Sequence, residues 1–355
     1  MEIQIGNHVI GENHPVYFIA DVGANHDGSL ERAKYLIKLA KQAGADAAKF
    51  QNFKAPKIVS DLGFRSLGSQ QSHQASWKKS VFEIYQDASI PTNWTPELKS
   101  FCEEIGIDYF TSPYDFETID EVDPYIPAFK IGSGEIDWLE ALDYIAGKGK
   151  PVLLATGAAT IGEVQTAVRT ILAKNKQLVL MQCNTNYTGS LENYNNVHLN
   201  VLKTYQVMFP DLILGLSDHT PGHSAVLGAV ALGARVIEKH FTDDNDREGP
   251  DHPFAMNPAN WAAMVKNSRE LERALGSFEK FVTDNEKETV ILQRRCLRSA
   301  RSIQAGETIF RDMIDVLRPA TPGAILPNEI SHVIGTKALM DIPQGKEIYW
   351  TMLGE

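Results

Sequence analysis

A (β/α)₈ barrel followed by a small β-rich module is the fold class this sequence predicts. Three observations carry it: eight short apolar runs recur along the chain, amphipathic stretches separate most of them, and polar residues gather at one end of the runs. Near-continuous apolar strands belong to parallel sheets covered on both faces. Eight such units within about 240 residues match a closed barrel better than an open sheet. An open doubly wound sheet would also collect polar groups at its strand ends. The third observation therefore defines the functional face, not the closure.

The first run, VYFIADVG (16–23), carries Asp21 near its end. Asn25-His26-Asp27-Gly28 then suits a turn and N-cap for the helix SLERAKYLIKLAKQAG, and capping alone would account for Asp27. The second run, AAKFQNF (47–53), holds Lys49 and Gln51. Residues 54–94 are too long for an ordinary connection, so a lid or substrate loop is expected there, with surface decoration as the plainer alternative. DYFTSPY (108–114) and AFKIGSGE (128–135) follow, carrying Thr111, Ser112, Lys130, Ser133 and Glu135. The glycines of the latter let the backbone approach a ligand. PVLLATG (151–157) leads into TIGEVQTAVRTILAKN, whose apolar spacing is helical. LVLMQCN (178–184) ends at Asn184, DLILGLSD (211–218) precedes His219, and ARVIEKHF (234–241) contains His240. A polar loop, DREGPDHPFAMNP (246–258), can close over the site and presents Asp251.

After the helix NPANWAAMVKNSRELERALG the character changes. SIQAGETI (302–309) and DIPQGKEI (341–348) form a weak internal repeat, each expected to make a strand, a tight glycine turn and a strand. The expected division is a barrel over 1–281, a linker over 282–295 and a β module over 296–355. So small a module needs support from another surface.

With 43% hydrophobic and 22% charged residues, the composition is that of a globular protein. No signal peptide is read at the N-terminus, and no apolar stretch reaches membrane-spanning length. Three widely spaced cysteines fit a reducing cytoplasm and offer no structural zinc pair. A formal charge of −11 argues against nucleic acid as a partner. An anionic small substrate would have to be met by a few local cations.

Two constellations supply chemistry. His219 and His240, at adjacent strand ends, could converge on a divalent cation, or could instead act as hydrogen-bonded or acid–base residues. The absence of nearby thiolate pairs favours Mn²⁺, Mg²⁺ or a similar ion over a closed zinc site. Lys49 and Lys130, with Ser133 and Gln51, suit a cradle for a phosphate or carboxylate. One of those lysines could instead form a Schiff base or a structural ion pair.

Taken in order, IADVGANHDGS, AAKFQNF, FKIGSGE, GLSDHT, GARVIEKHFT, GPDHPFAMNP and LRPATPG resemble the sialic acid synthase family of nonulosonate synthases over nearly the whole chain. The resemblance implies condensation of phosphoenolpyruvate with an N-acetylmannosamine-like 2-acetamido sugar to a nine-carbon α-keto acid, with release of phosphate. It implies a (β/α)₈ barrel and a C-terminal antifreeze-like SAF domain swapped between the subunits of a homodimer. It also implies a divalent metal, Mn²⁺ first and Mg²⁺ or Co²⁺ as alternatives. By that resemblance His219 and His240 are the metal ligands. Lys49, Lys130, Ser133, Asn184 and Ser217 surround phosphoenolpyruvate, with Gln51 and Thr111 or Ser112 close by. Asp21, Glu135, Tyr187 and Asp251 face the sugar, and Arg318 comes from the other protomer. Asp21-Val22-Gly23 replaces the family's usual Glu-Ile-Gly, which leaves the acceptor open among N-acetylmannosamine and diacetamido sugars. A Schiff-base aldolase or another phosphoenolpyruvate-dependent keto-acid sugar synthase on the same barrel is the nearest competitor, and a catalytically silent sugar-binding protein the more distant one.

Overall fold

Each of the eight apolar runs contains a parallel strand in the computed structural model, which describes residues 1–69, 74 and 77–355. An N-terminal hairpin comes first, β1 (Glu2–Ile5) and β2 (His8–Gly11), turning at Gly6, whose φ is 55°. The barrel strands are β3 (Tyr17–Asp21), β4 (Ala47–Asn52), β5 (Asp108–Pro113) and β6 (Phe129–Ile131). They continue as β7 (Val152–Ala155), β8 (Leu178–Cys183), β9 (Ile213–Asp218) and β10 (Ala234–His240). The ladder order is β5-β4-β3-β10-β9-β8-β7-β6, and the two end strands β5 and β6 lie against each other to complete the ring. A helix follows every barrel strand, from Leu30–Gln42 after β3 to Pro258–Leu275 after β10.

Alternation sorts the strand residues into two cores. Phe18, Ala20, Phe50, Leu154, Leu180, Leu216 and Ile237 face the helices. Tyr17, Ile19, Ala47, Phe110, Leu153, Val179, Met181 and Val236 fill the barrel. The hairpin was not anticipated. Its Ile3, Ile5 and Ile10 pack into the same interior cluster, stoppering the N-terminal end of the strands.

Helix starts are marked by side chains. Ser29 accepts a hydrogen bond from the Arg32 amide and caps Leu30–Gln42, so Asp27 is not the cap. Thr160 and Glu163 make a capping box ahead of Ile161–Leu172. Within the long 54–94 segment lie the helices Ala55–Ile58, Asp61–Ser66 and Val81–Ala88, while residues 70–73, 75 and 76 fall outside the described residues.

The chain divides into two units, Met1–Gly276 and Ser277–Glu355. The second has its own core of Leu297, Ile309, Ile314, Ile325, Val333 and Ile348. It contains the helix Lys287–Gln293 within the expected linker. Two antiparallel pairs, β11 (Cys296–Ser299) with β12 (Ile314–Leu317) and β13 (Lys337–Ala338) with β14 (Leu353–Gly354), complete it. The repeat is present in three dimensions with its glycine turns at Gly306 and Gly345, but the strands expected on either side of each turn are reduced to isolated bridges. Ile303 and Ile342, equivalent positions of the two copies, exchange both backbone hydrogen bonds, so each copy meets its mate about a local two-fold axis. Ser299↔Ile314 and Ala338↔Leu353 are matching pairs under the same operation.

Candidate active site

The interior positions turn polar at the C-terminal ends of the strands. Asp21, Lys49, Gln51, Ser112, Lys130, Cys183, Ser217, Glu238 and His240 all share the parity of the barrel-filling residues. Register places His240 beside Asp21 and Asp21 beside Lys49. Lys49 Nζ lies 2.7 Å from Asp21 Oδ2, and both side chains are almost fully buried. Gln51 donates to the same oxygen at 3.2 Å, and the Gly23 amide donates to Asp21 Oδ1 at 3.0 Å. Burial opposes the Lys49 charge, but Asp21 and Glu238 outweigh it and hold the ammonium above its ordinary range.

A second group lies one inward position lower on β10. Lys130 Nζ is 3.4 Å from Glu238 Oε1, which also accepts from Ser217 Oγ at 3.2 Å. Glu238 Oε2 and Ser112 Oγ are buried without a hydrogen-bond partner. Orphaned polar atoms of this kind mark places where a ligand or water belongs.

Above them stand the two histidines, ring centroids 5.6 Å apart. His219 Nδ1 lies 3.0 Å from the Asn184 carbonyl oxygen, which can only accept. Nδ1 therefore carries the proton and Nε2 is left as the basic nitrogen. Its backbone is held from behind: Lys239, facing the helices, pairs with Asp218 at 2.5 Å and donates to the Thr220 carbonyl at 2.6 Å. His240 Nε2 is 3.6 Å from Asp21 Oδ2, and its Nδ1 is 3.6 Å from Asp251 Oδ2 and buried without a hydrogen bond. Burial pulls this imidazole down to about 4, so it is neutral at physiological pH. Among the described residues no three His, Cys, Asp or Glu side chains form a ready-made metal cluster. Two imidazoles nonetheless stand together here as nitrogen donors.

Tyr187 and Phe254 wall the histidines, with Tyr187 4.4 Å from the His219 ring and Phe254 4.9 Å from that of His240. Gln51, Ser133, Glu135, Tyr187, His240 and Asp251 line a cavity of about 340 Å³. Ser133 Oγ accepts from the Gly157 amide at 2.9 Å. Burial raises the Glu135 carboxyl, partly offset by Lys130. Asp251 Oδ2 accepts from the Ala24 amide at 2.9 Å. At Gly23, φ 50°, an added Cβ would lie 2.5 Å from Asp251 Oδ2.

The structure thus brings together Asp21, Lys49, Gln51, Tyr187, His219, His240 and Asp251 at one level. Lys130 and Ser217 lie below, and Ser133 and Glu135 at the side. Asn184 contributes its carbonyl. Of the pair Thr111 and Ser112, alternation turns Ser112 inward, whereas Thr111 faces the helix layer and donates to Asn52 Oδ1. Arg318 belongs to the second unit, where its Nε donates to the Gln293 carbonyl. Sequence reasoning missed Glu238 and Cys183. Counting by two from His240 and from Met181 finds both.

The NeuB family model matches residues 36–280, and the SAF domain model residues 294–354. The chain belongs to the NeuB family. It is 35% identical to the spore coat polysaccharide biosynthesis protein SpsE of Bacillus subtilis, with 98% of this chain and 96% of that protein covered. It is 34% identical to the N,N'-diacetyllegionaminic acid synthase of Legionella pneumophila, covering 96% and 95% of the two chains. The crystal structure of an N-acetylneuraminic acid synthetase from Leptospira borgpetersenii in complex with citrate matches with a TM-score of 0.71 at 28% identity, over 82% of this chain and 95% of that one. As a NeuB-family protein it is a sialic acid-type synthase, an enzyme of carbohydrate biosynthesis, built on a (β/α)₈ barrel with a C-terminal SAF domain.

Proposed function

We propose that the enzyme condenses phosphoenolpyruvate with an open-chain 2-acetamido sugar of the N-acetylmannosamine or diacetamido type. The products would be a nine-carbon α-keto acid and phosphate. One observation carries the proposal: two buried lysines and two imidazoles meet at a single mouth, beside carboxylates suited to a polyhydroxylated acceptor. The reaction is a transfer in which the enol carbon of phosphoenolpyruvate forms a bond to the aldehyde carbon. Water adds at C2 of the enolpyruvyl unit, and the C–O bond to phosphate then breaks.

His219 and His240 would hold the divalent cation that the family implies, and the fit is supported by the free Nε2 of His219 and the unpartnered buried Nδ1 of His240. Such an ion supplies Lewis-acid polarisation of the aldehyde when bound. The chain's own residues do the rest. Lys49 and Lys130 hold the phosphate and carboxylate of the donor, Ser133 and Ser217 orient it, and Gln51 fixes Asp21. Asp21, Glu135 and Asp251 hold the acceptor hydroxyls and pass the proton lost by the water that adds at C2 to the new alkoxide. Holding both partners in line supplies much of the rate. Arg318 would reach the acceptor from the SAF domain of a second subunit.

A Schiff-base route needs a neutral lysine amine. Lys49, raised above its ordinary range by Asp21, is the opposite of that. The deciding measurement is mass spectrometry of products from phosphoenolpyruvate with a panel of 2-acetamido sugars. A nine-carbon keto acid with equimolar phosphate is expected. Borohydride trapping of substrate on either lysine, without phosphate release, would overturn the proposal.

A further inference from the structure

The loop after β10 carries Asp251 to the His240 end of the site, and it is fastened from one place. Asp27, in the turn after β3, has its carboxylate filled from three sides. Its Oδ1 lies 2.9 Å from His252 Nε2. Its Oδ2 takes Arg247 at 2.8 Å and lies 2.9 Å from Arg32 Nε. His252 is fully buried, and its other nitrogen lies 2.7 Å from Thr242 Oγ1. Arg32 also grips Asp243 through both terminal nitrogens, at 3.0 and 2.6 Å. Both ends of the loop therefore return to Asp27, and Asp251 then meets the Ala24 amide three residues before it.

The local chain is built for this. Asp27 sits at φ 49°, a left-handed conformation that Asp and Asn adopt more readily than other side chains. A Cβ at Gly249 would lie 2.6 Å from the His252 ring, so the loop can pass the imidazole only with glycine there. Burial would raise the Asp27 carboxyl, but hydrogen bonds from His252 and Arg247 outweigh it and hold it below the ordinary range.

We infer that Asp27 is a positioning residue for the acceptor: by clamping Arg247 and His252 it fixes the loop that presents Asp251, without touching substrate itself. This rests on the reading that Asp251 faces the acceptor sugar. Charge-assisted hydrogen bonds from the Arg247 guanidinium and the His252 imidazole, with Arg32 ion-paired beside them, make the clamp stiff. Neutralising Asp27 should loosen the loop while leaving the lysine end of the site untouched.

The test uses the full-length chain with Mn²⁺, phosphoenolpyruvate and the best acceptor of the panel. Asp27→Asn keeps size and backbone tolerance while removing the charge. It should raise KM for the acceptor about tenfold and leave KM for phosphoenolpyruvate unchanged. Combined with Asp251→Asn it should add nothing to that single variant, the mark of two residues acting through one contact. Arg247→Met, at a partly exposed position, should show the same pattern more weakly. Equal effects on both KM values, or multiplying effects in the double variant, would overturn the inference. Hydrogen exchange separates it from the reaction itself. Amides of 243–252 should exchange faster in Asp27→Asn while the barrel strands keep wild-type protection. Unchanged exchange in that loop overturns the clamp whatever the activity. Faster exchange in an enzyme whose wild type turns over no acceptor overturns only the proposed reaction.

Discussion

Lys49 shows how much a single buried charge does here. With Asp21 at 2.7 Å it is a paired ammonium in a nearly dry site, and a donor dianion would compete for the same charge. Lys49→Met should lower kcat/KM for phosphoenolpyruvate by an amount on the order of 2–4 kcal/mol in transition-state stabilisation. It should also cost stability, because Asp21 then stays buried with only Gln51 and an amide as partners. Steady-state kinetics and urea unfolding of the same preparation separate the two losses. For the histidines the prediction is about binding. His219→Ala and His240→Ala should each weaken Mn²⁺ affinity by about tenfold or more, since two protein ligands leave no redundancy, and titration calorimetry on the full chain reads it directly. His26 offers a pH test away from the reacting groups. Burial holds its imidazole at about 4, against 6.5 in the unfolded chain. Between those values the unfolded state binds the extra proton, so stability falls as pH drops from 6.5 toward 4, by on the order of 3 kcal/mol. His26→Asn, which keeps an acceptor for the Gly28 amide, should flatten that acid limb in unfolding curves.

At the level of elements, alternation along the strands is the organising device. Gly23 marks its outlet, where the chain leaves β3 in a left-handed conformation under the Asp251 carboxylate. Gly23→Ala should cost about 1–2 kcal/mol in backbone strain and displace Asp251, which a denaturant curve and the acceptor KM would register together. All eight barrel strands were legible in the sequence because strands buried on both faces leave near-continuous apolar runs. Their polar ends identified the face, since a lysine or histidine inside such a run needs a partner, although Lys239 finds its partner in Asp218 on the helix side. The hairpin Glu2–Gly11 was not legible: its strands have four residues each, partly exposed, and its partner is the barrel floor rather than a neighbour in sequence. Thr111 and Ser112 needed the register to tell them apart. The clamp around Asp27 joins residues more than two hundred positions apart, and nothing local to either end announces it.

For the whole molecule, the proposed exchange of SAF domains between subunits makes a prediction that no single chain can satisfy. Arg318→Ala chains and His219→Ala chains should each be nearly inactive alone. Mixed at random they should recover about a quarter of the sites, because half the dimers are mixed and each of those has one intact site. Activity of re-equilibrated mixtures, with mixed dimers verified by native mass spectrometry, measures this. No recovery would place Arg318 in its own subunit or outside the chemistry.

Because Tyr17, Ile19, Phe110 and Met181 fill the barrel and Ile3, Ile5 and Ile10 close its floor beneath them, the site is a well and not a tunnel. Loading and unloading share one doorway. On the proposed function, a donor seated at the lysines would be covered by the acceptor at the histidine end and would have to enter first. The first strand of the chain, EIQI, and its hairpin mate thus close the far end of the well whose mouth carries the lysines and histidines.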